Sequence, residues 1–425
     1  MHLTRRARVT LSIFAILVST LQVTAEFRSA IAIRNVTPDP LLPVSGGVGP
    51  SHPATRKMGE LTVRALVLES RRENSEPVRL AIVSSDFLGF PSVLGDRVRA
   101  KVQGVPARNV LIGATHTHSA PDCYAFPDGK GGTGADLKYL DFVVGKMAEA
   151  INEAVERLQP STLRLATGEA KGKIAYNYYA PALYDPRCSI LQTVDSAGKP
   201  IATLVNYAIH PEVLGNRQGV LSPDLIGPLY DRIAAEGGGT GIFMNGAQGG
   251  MVTADVRGED GKDIQRWDEC IRIGQLLADE ALRLIKPAQA VSDPPLVCTS
   301  KEVRFHVDSP GMQQIMKLSP LGFKTDVENT ATTIVNLVQL ADAQILTIPG
   351  EALPNIGFYL KRKMKGEHNL LFGLTNDAFG YILTKEDFGS FKRYEYVSRT
   401  TLGERTYETY LAGAMELING AAGAK

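Results

Sequence analysis

Apolar positions along this chain follow two spacings that alternate. Short runs rich in β-branched residues predict strands: "LTVRALVLE" (61–69), "VRLAIVSS" (78–85), "NVLIGAT" (109–115), "TLRLATG" (162–168) and "IATLVNYAI" (201–209). "TGIFMN" (240–245), "TIVNLVQL" (333–340), "AQILTIP" (343–349) and "NLLFGL" (369–374) continue the series. The 333–349 stretch reads as a hairpin closed by a short polar turn. Between these runs the spacing changes to three and four. Leu140, Val143, Met147, Ile151, Ala154 and Leu158 form one stripe, which predicts a helix over 136–158. Residues 263–285 and 404–418 repeat the pattern, and Pro223-Asp224 opens a further helix with Ser222 as its N-cap. Alternating strands and helices give an α/β fold. We expect a layered domain with mixed sheet, in one or two sheets, flanked by helices, and with its site at the strand ends.

Composition changes this picture little. The 425 residues are 44% hydrophobic and 21% charged with a formal net charge of +1, so nothing points to nucleic acid as a partner. The basic run "KRKMK" (361–365) reads as a solvated helix face. The first residues do alter it. "MHLTRRAR" is basic, "VTLSIFAILVSTLQV" is apolar but short for a membrane span, and "VTA" offers small residues for cleavage after Ala25. Residues 1–25 therefore read as an export signal and 26–425 as the mature domain, periplasmic or secreted, without a transmembrane segment. Cys123, Cys188, Cys270 and Cys298 then form two disulfides or remain buried thiols.

Candidate chemistry gathers where strands end. "THTH" places His116 and His118 two residues apart, on one side of the chain if it stays extended. Such a pair suits a divalent metal, or one ligand and one acid–base group. His210 in "NYAIHPE", Glu351 in "ILTIPGEALP" and Tyr381 in "LLFGLTNDAFGYI" each follow an apolar run. Two imidazoles, a carboxylate and a phenol can fill a zinc shell and leave one position for water. "IFMNGAQGGMVTAD" (242–255) adds backbone amides, at Gly246, Gly249 and Gly250, that could steady an oxyanion.

Taken in order, five segments resemble the catalytic domain of the neutral/alkaline ceramidase family: "RNVTPDPLLPVSGG", "GATHTHSAPD", "NYAIHPEVLGNRQGVLSPDLIG", "IPGEALPNIG" and "LTNDAFGYILTKEDF" with the later "RYE". The resemblance implies Zn2+ on His116, His210, Glu351 and Tyr381, and a substrate or transition-state contact from His118. It places Asn177 and Tyr394 among substrate contacts. It also implies hydrolysis of the amide between a fatty acid and a sphingoid or related amine, with a small-molecule or lipid substrate that includes one presented at a membrane surface. The chain departs from the family at four places, one of them "HTHSAPDCY", which lacks the glycines usual after Ser-x-Pro. The family's serine position falls on Val252, or on Thr253 after a one-residue slip; Tyr178 stands where the family has arginine; and the chain ends too soon for the C-terminal immunoglobulin-like domain of typical members. Two other readings remain open: a metal hydrolase of another substrate class, and a catalytically silent homologue that binds lipid or metal.

Overall fold

The computed structural model describes residues 26–73 and 75–421. The export-signal reading of 1–25 lies outside the described residues. Two sheets face each other. The larger has eight strands, in the spatial order Thr240–Asn245, Pro200–Tyr207, Arg187–Asp195, Gln159–Glu169, Glu26–Asn35, Thr62–Arg71, Val78–Ser85 and Val110–Ala114. Its two outermost pairs are parallel and the pairs between them antiparallel, so the sheet is mixed. The smaller sheet orders Leu296–His306, Thr330–Leu340, Ala343–Thr347 and His368–Phe372. The expected hairpin is its middle pair.

The pleat explains why the strand sequences are almost wholly apolar. In Thr62–Arg71, Val63, Ala65 and Val67 face the helices while Leu66 and Leu68 face the second sheet. Leu80, Ile82, Leu111, Leu204 and Ile242 pack from the large sheet against Val338, Ile345, Leu370 and Phe372 of the small one. The helix Leu137–Glu156 covers one half of the outer face of the large sheet, capped by Asp136, whose carboxylate accepts from the amides of Lys138 and Tyr139. Helices Ile226–Ala235 and Trp267–Ile285 cover the other half. Pro354–Lys363 and Thr406–Ala421 cover the small sheet. The result is a helix–sheet–sheet–helix stack, an α/β architecture as expected. Among the described residues no helix is long and apolar enough to cross a membrane.

Several local expectations are corrected. Ser222 is not an N-cap: the helix begins at Ile226, and the Ser222 hydroxyl accepts from the amide of Asp224, which sits at φ 55°. The "KRKMK" run is not wholly solvated, because Lys361 turns inward and pairs with the buried Asp185 carboxylate at 2.9 Å. All four cysteines are free thiols, three of them buried, so the disulfide alternative is not realised. Strands Glu26–Asn35, Arg187–Asp195 and Leu296–His306 escape the periodicity reading. The last is an edge strand whose charged residues, such as Lys301, Glu302 and Arg304, hide its apolar alternation.

The sheet-to-sheet core should carry much of the stability. Phe372→Ala, at a fully buried site between the sheets, is expected to cost about 3–5 kcal/mol in denaturant unfolding.

Candidate metal centre

His116 lies two residues beyond the strand Val110–Ala114, but the chain does not stay extended there. His116 adopts φ 74°, a left-handed conformation that costs a non-glycine residue ~1–2 kcal/mol. Its amide donates to Phe87 O at 2.9 Å, which holds the turn. The two imidazoles meet nonetheless: His118 Nε2 is 3.3 Å from His116 Nε2. They do so through this turn, not through strand alternation. His210 follows the strand Pro200–Tyr207, and its ring centroid is 4.7 Å from that of His116. Ligand atoms of His116, His118 and His210 all lie within 4.8 Å of one another, so the group could hold a metal.

Glu351 completes the cluster. Its Oε2 is 3.2 Å from His210 Nε2 and 3.4 Å from His116 Nε2. Glu351 and Ala352 pair in parallel with Tyr381 and Ile382, which sets Tyr381 beside Glu351. The Tyr381 hydroxyl is 3.5 Å from Met251 Sδ, and its ring lines the same pocket as His116, His118 and Glu351. The four side chains read from strand ends are therefore brought together.

The other ring nitrogens are fixed by the backbone. His116 Nδ1 hydrogen-bonds Leu88 O, and His210 Nδ1 hydrogen-bonds Val252 O at 2.8 Å. A carbonyl at Nδ1 keeps the proton there and leaves the Nε2 lone pair for a cation. His118 differs: its Nδ1 faces the Glu212 carboxylate at 3.7 Å. One buried carboxamide ties the strand ends together. Asn245 Nδ2 donates to Thr115 O at 3.0 Å and Ile209 O at 2.7 Å, one residue before each of His116 and His210. Its Oδ1 accepts from the amides of Ile209 and Gly246.

Charge in the metal-free cluster follows from these contacts. Burial pulls His210 down, but the Glu351 hydrogen bond and the charges of Glu212 and Glu351 outweigh it and raise its pKa to about 9. Burial pushes Glu351 up, yet the facing imidazoles of His116 and His210 hold it well below the usual carboxylate range. Burial drives His118 down to about 3, opposed by Glu212 and reinforced by the neighbouring imidazoles, so it is neutral at physiological pH.

Other expected site residues take different places. The amides of Gly246 and Gly249 donate to Tyr207 O and Ala352 O, so neither is free for an oxyanion. Gly249 serves close packing instead: a Cβ there would lie 2.2 Å from Glu351 O. Gly250, at φ 67°, turns the chain against Leu353. The Asn177 carboxamide accepts from the amides of Tyr179 and Ala180 and donates to Leu183 O, building a turn. Tyr394 lies in a surface aromatic contact with Tyr179, ring centroids 5.5 Å apart, and lines neither pocket at the cluster. Tyr396, two residues on, lines the pocket and sits 5.9 Å from the Tyr381 ring. Val252 is buried in the core, while Thr253 lines a second pocket with His118 and Glu212. Sequence reasoning missed Glu212, Tyr396 and Asn245. Only Glu212 had a cue, its place two residues after His210.

No family model matches the chain. Neutral ceramidase of Pseudomonas aeruginosa is 29% identical over 180 residues, which cover 38% of this chain and 26% of that protein's length. The crystal structure of neutral ceramidase from that organism matches with a TM-score of 0.73 at 18% identity, over 93% of this chain and 75% of that one. A solved ceramidase complexed with C2 matches with a TM-score of 0.73 at 18% identity, over 94% of this chain and 76% of the other.

Asn245→Ala should weaken divalent-metal affinity by ~10–100-fold in chelator competition, because it frees both histidine-bearing turns. In chelator-treated protein, stability from His210, raised from 6.5 to about 9, is full below pH 6.5 and lost as pH rises through 9. Stability from Glu351, lowered from 4.5, is present above pH 4.5 and lost as pH falls below it. The melting temperature of the metal-free protein should therefore fall between pH 6.5 and 9, and metal uptake at pH 7 should release protons, read by calorimetry in buffers of different ionisation enthalpy.

Proposed function

We propose that this neutral-ceramidase-like chain is a zinc-dependent hydrolase of N-acyl amides, exported after loss of residues 1–25 and acting through a single catalytic domain formed by 26–425. The observation that carries this reading is the convergence of His116, His210 and Glu351, with Tyr381 alongside, at an apolar pocket lined by Phe126, Met312, Ile315, Met316, Phe323 and Phe379. Their donor set fits zinc: two Nε2 atoms whose tautomers are fixed by carbonyls, one buried carboxylate and an adjacent phenol. Zinc held there would lower the pKa of water to about 7 and polarise an amide carbonyl.

The residues supply the rest. His118 is neutral and faces the cluster with Nε2, so it can take a proton there and pass it to the departing nitrogen. Glu212, beside its Nδ1, supports the charged form of the ring during that transfer. The apolar pocket holds the acyl chain and excludes water from the carbonyl. Hydrolysis by water needs no serine, which agrees with Val252 occupying the core and Thr253 lying in the second pocket beside Glu212. A silent lipid- or metal-binding homologue would show the same buried Val252 but no turnover.

The test uses the 26–425 protein, metal analysis and a panel of N-acyl amides. His210→Ala should lose both zinc and turnover. His118→Ala should keep near-stoichiometric zinc and lose ~100-fold or more in kcat. Full activity in His210→Ala would overturn the reading, and zinc without turnover of any amide would select the silent homologue.

A further inference from the structure

Two pockets meet at His118, and their walls differ in kind. The first is the apolar pocket beside Glu351. The second is mixed: Tyr178, Glu212, Asn216, Thr253, Asp263 and Gln265 give it polar groups, and Val213, Met251, Ala254 and Val256 line the rest. Among the described residues no lysine or arginine lines it. The basic group acting on Asp263 is Arg257. Its guanidinium is already committed: it grips Asp255 with two bonds of 2.9 and 2.7 Å and lies 3.8 Å from the Tyr176 ring centroid. The second pocket thus presents two carboxylates, two carboxamides and a hydroxyl beside a short apolar wall, with the exposed Tyr178 ring at its edge, which suits a short methylene segment ending in a polar group.

An amide hydrolase must seat two halves of its substrate on either side of the reacting carbonyl. The apolar pocket suits the acyl half. An alkyl chain laid against the second pocket would strip water from Glu212, Asp263, Asn216 and Gln265 and return no hydrogen bonds. A primary ammonium would return charge-assisted bonds to the carboxylates and lie against an aromatic ring. From this polarity we propose that the Glu212–Asp263 pocket receives the amine half, and that this half is a short amine carrying a second, cationic amino group. The preferred substrate is then a single-chain N-acyl diamine, not an amide with a hydrocarbon tail on each side. This inference rests on the amide-hydrolase reading and names the substrate class for it.

Three substrates with the same dodecanoyl group test it on the zinc-loaded 26–425 protein: the monoamide of 1,4-diaminobutane, the amide of 4-aminobutanol, and the amide of dodecylamine. The diamine amide should exceed the alcohol in kcat/KM on the order of tenfold, the gain of one charge-assisted contact. The dodecylamine amide should be the poorest. Asp263→Asn, at an exposed rim position, should lower kcat/KM for the diamine amide and so bring the first two rates together. An equal or better rate on the dodecylamine amide overturns the proposal, as does an unchanged ratio in Asp263→Asn. A second measurement does not need turnover: calorimetric binding of 1,4-diaminobutane itself, weakened in Asp263→Asn. No binding, or binding indifferent to Asp263, overturns the pocket assignment even in an active amidase. Asp263-dependent binding without hydrolysis of any amide leaves the pocket standing and removes the hydrolase reading.

Discussion

Two backbone carbonyls, Leu88 O and Val252 O, hold the outward nitrogens of His116 and His210, and the centre depends on that restraint. With Nδ1 occupied, each ring can turn only its Nε2 toward Glu351, within 3.4 Å of the carboxylate. Neither histidine would be so fixed if its turn could relax. The His116 amide bond to Phe87 O, which holds its left-handed turn, and the Asn245 carboxamide, bound to the carbonyls of Thr115 and Ile209, prevent this. The sandwich supplies rigidity: the histidine-bearing strands Val110–Ala114 and Pro200–Tyr207 belong to one eight-stranded sheet, while Glu351 and Tyr381 follow strands of the other. The centre therefore sits where the ends of both sheets meet.

Burial makes this arrangement consequential. A carboxylate as enclosed as Glu351 would be costly if left alone, since an unpaired buried charge loses its hydration without return. In the metal-free protein a protonated His210 offsets that cost, which is why its pKa rises while that of Glu351 falls. A cation bound in the same place would do the same work and leave both imidazoles neutral. Metal and proton would then compete for one position, and stability, metal affinity and pH would be coupled through it.

Much of this was legible in the sequence. Strand runs such as 78–85 and 240–245 coincide with the observed elements, because a strand buried on both faces must be apolar at nearly every position. His116, His210, Glu351 and Tyr381 were recognisable because each follows such a run. Residues that act through geometry were not. Asn245 looks like any polar residue at a strand end, yet it joins segments more than a hundred positions apart. The glycines of 246–250 pointed to an oxyanion site, but Gly249 is small because the Glu351 backbone passes against it. Asn177 and Tyr394 were placed by motif resemblance, and the structure gives their neighbourhoods to turn formation and surface stacking. Periodicity reports which residues are buried; it does not report which backbone atoms they will meet.

The two pockets at His118 connect the centre to function, one able to hide a chain from water and the other able to hold a polar group. Both ideas presuppose one cation at the shared point. Anomalous scattering at the zinc edge from crystals of the zinc-loaded protein tests that directly. The account predicts a single strong peak bonded at roughly 2.0–2.2 Å to His116 Nε2, His210 Nε2 and a Glu351 oxygen. A peak bound elsewhere, or one that leaves Glu351 uncoordinated and still paired to His210, would contradict it.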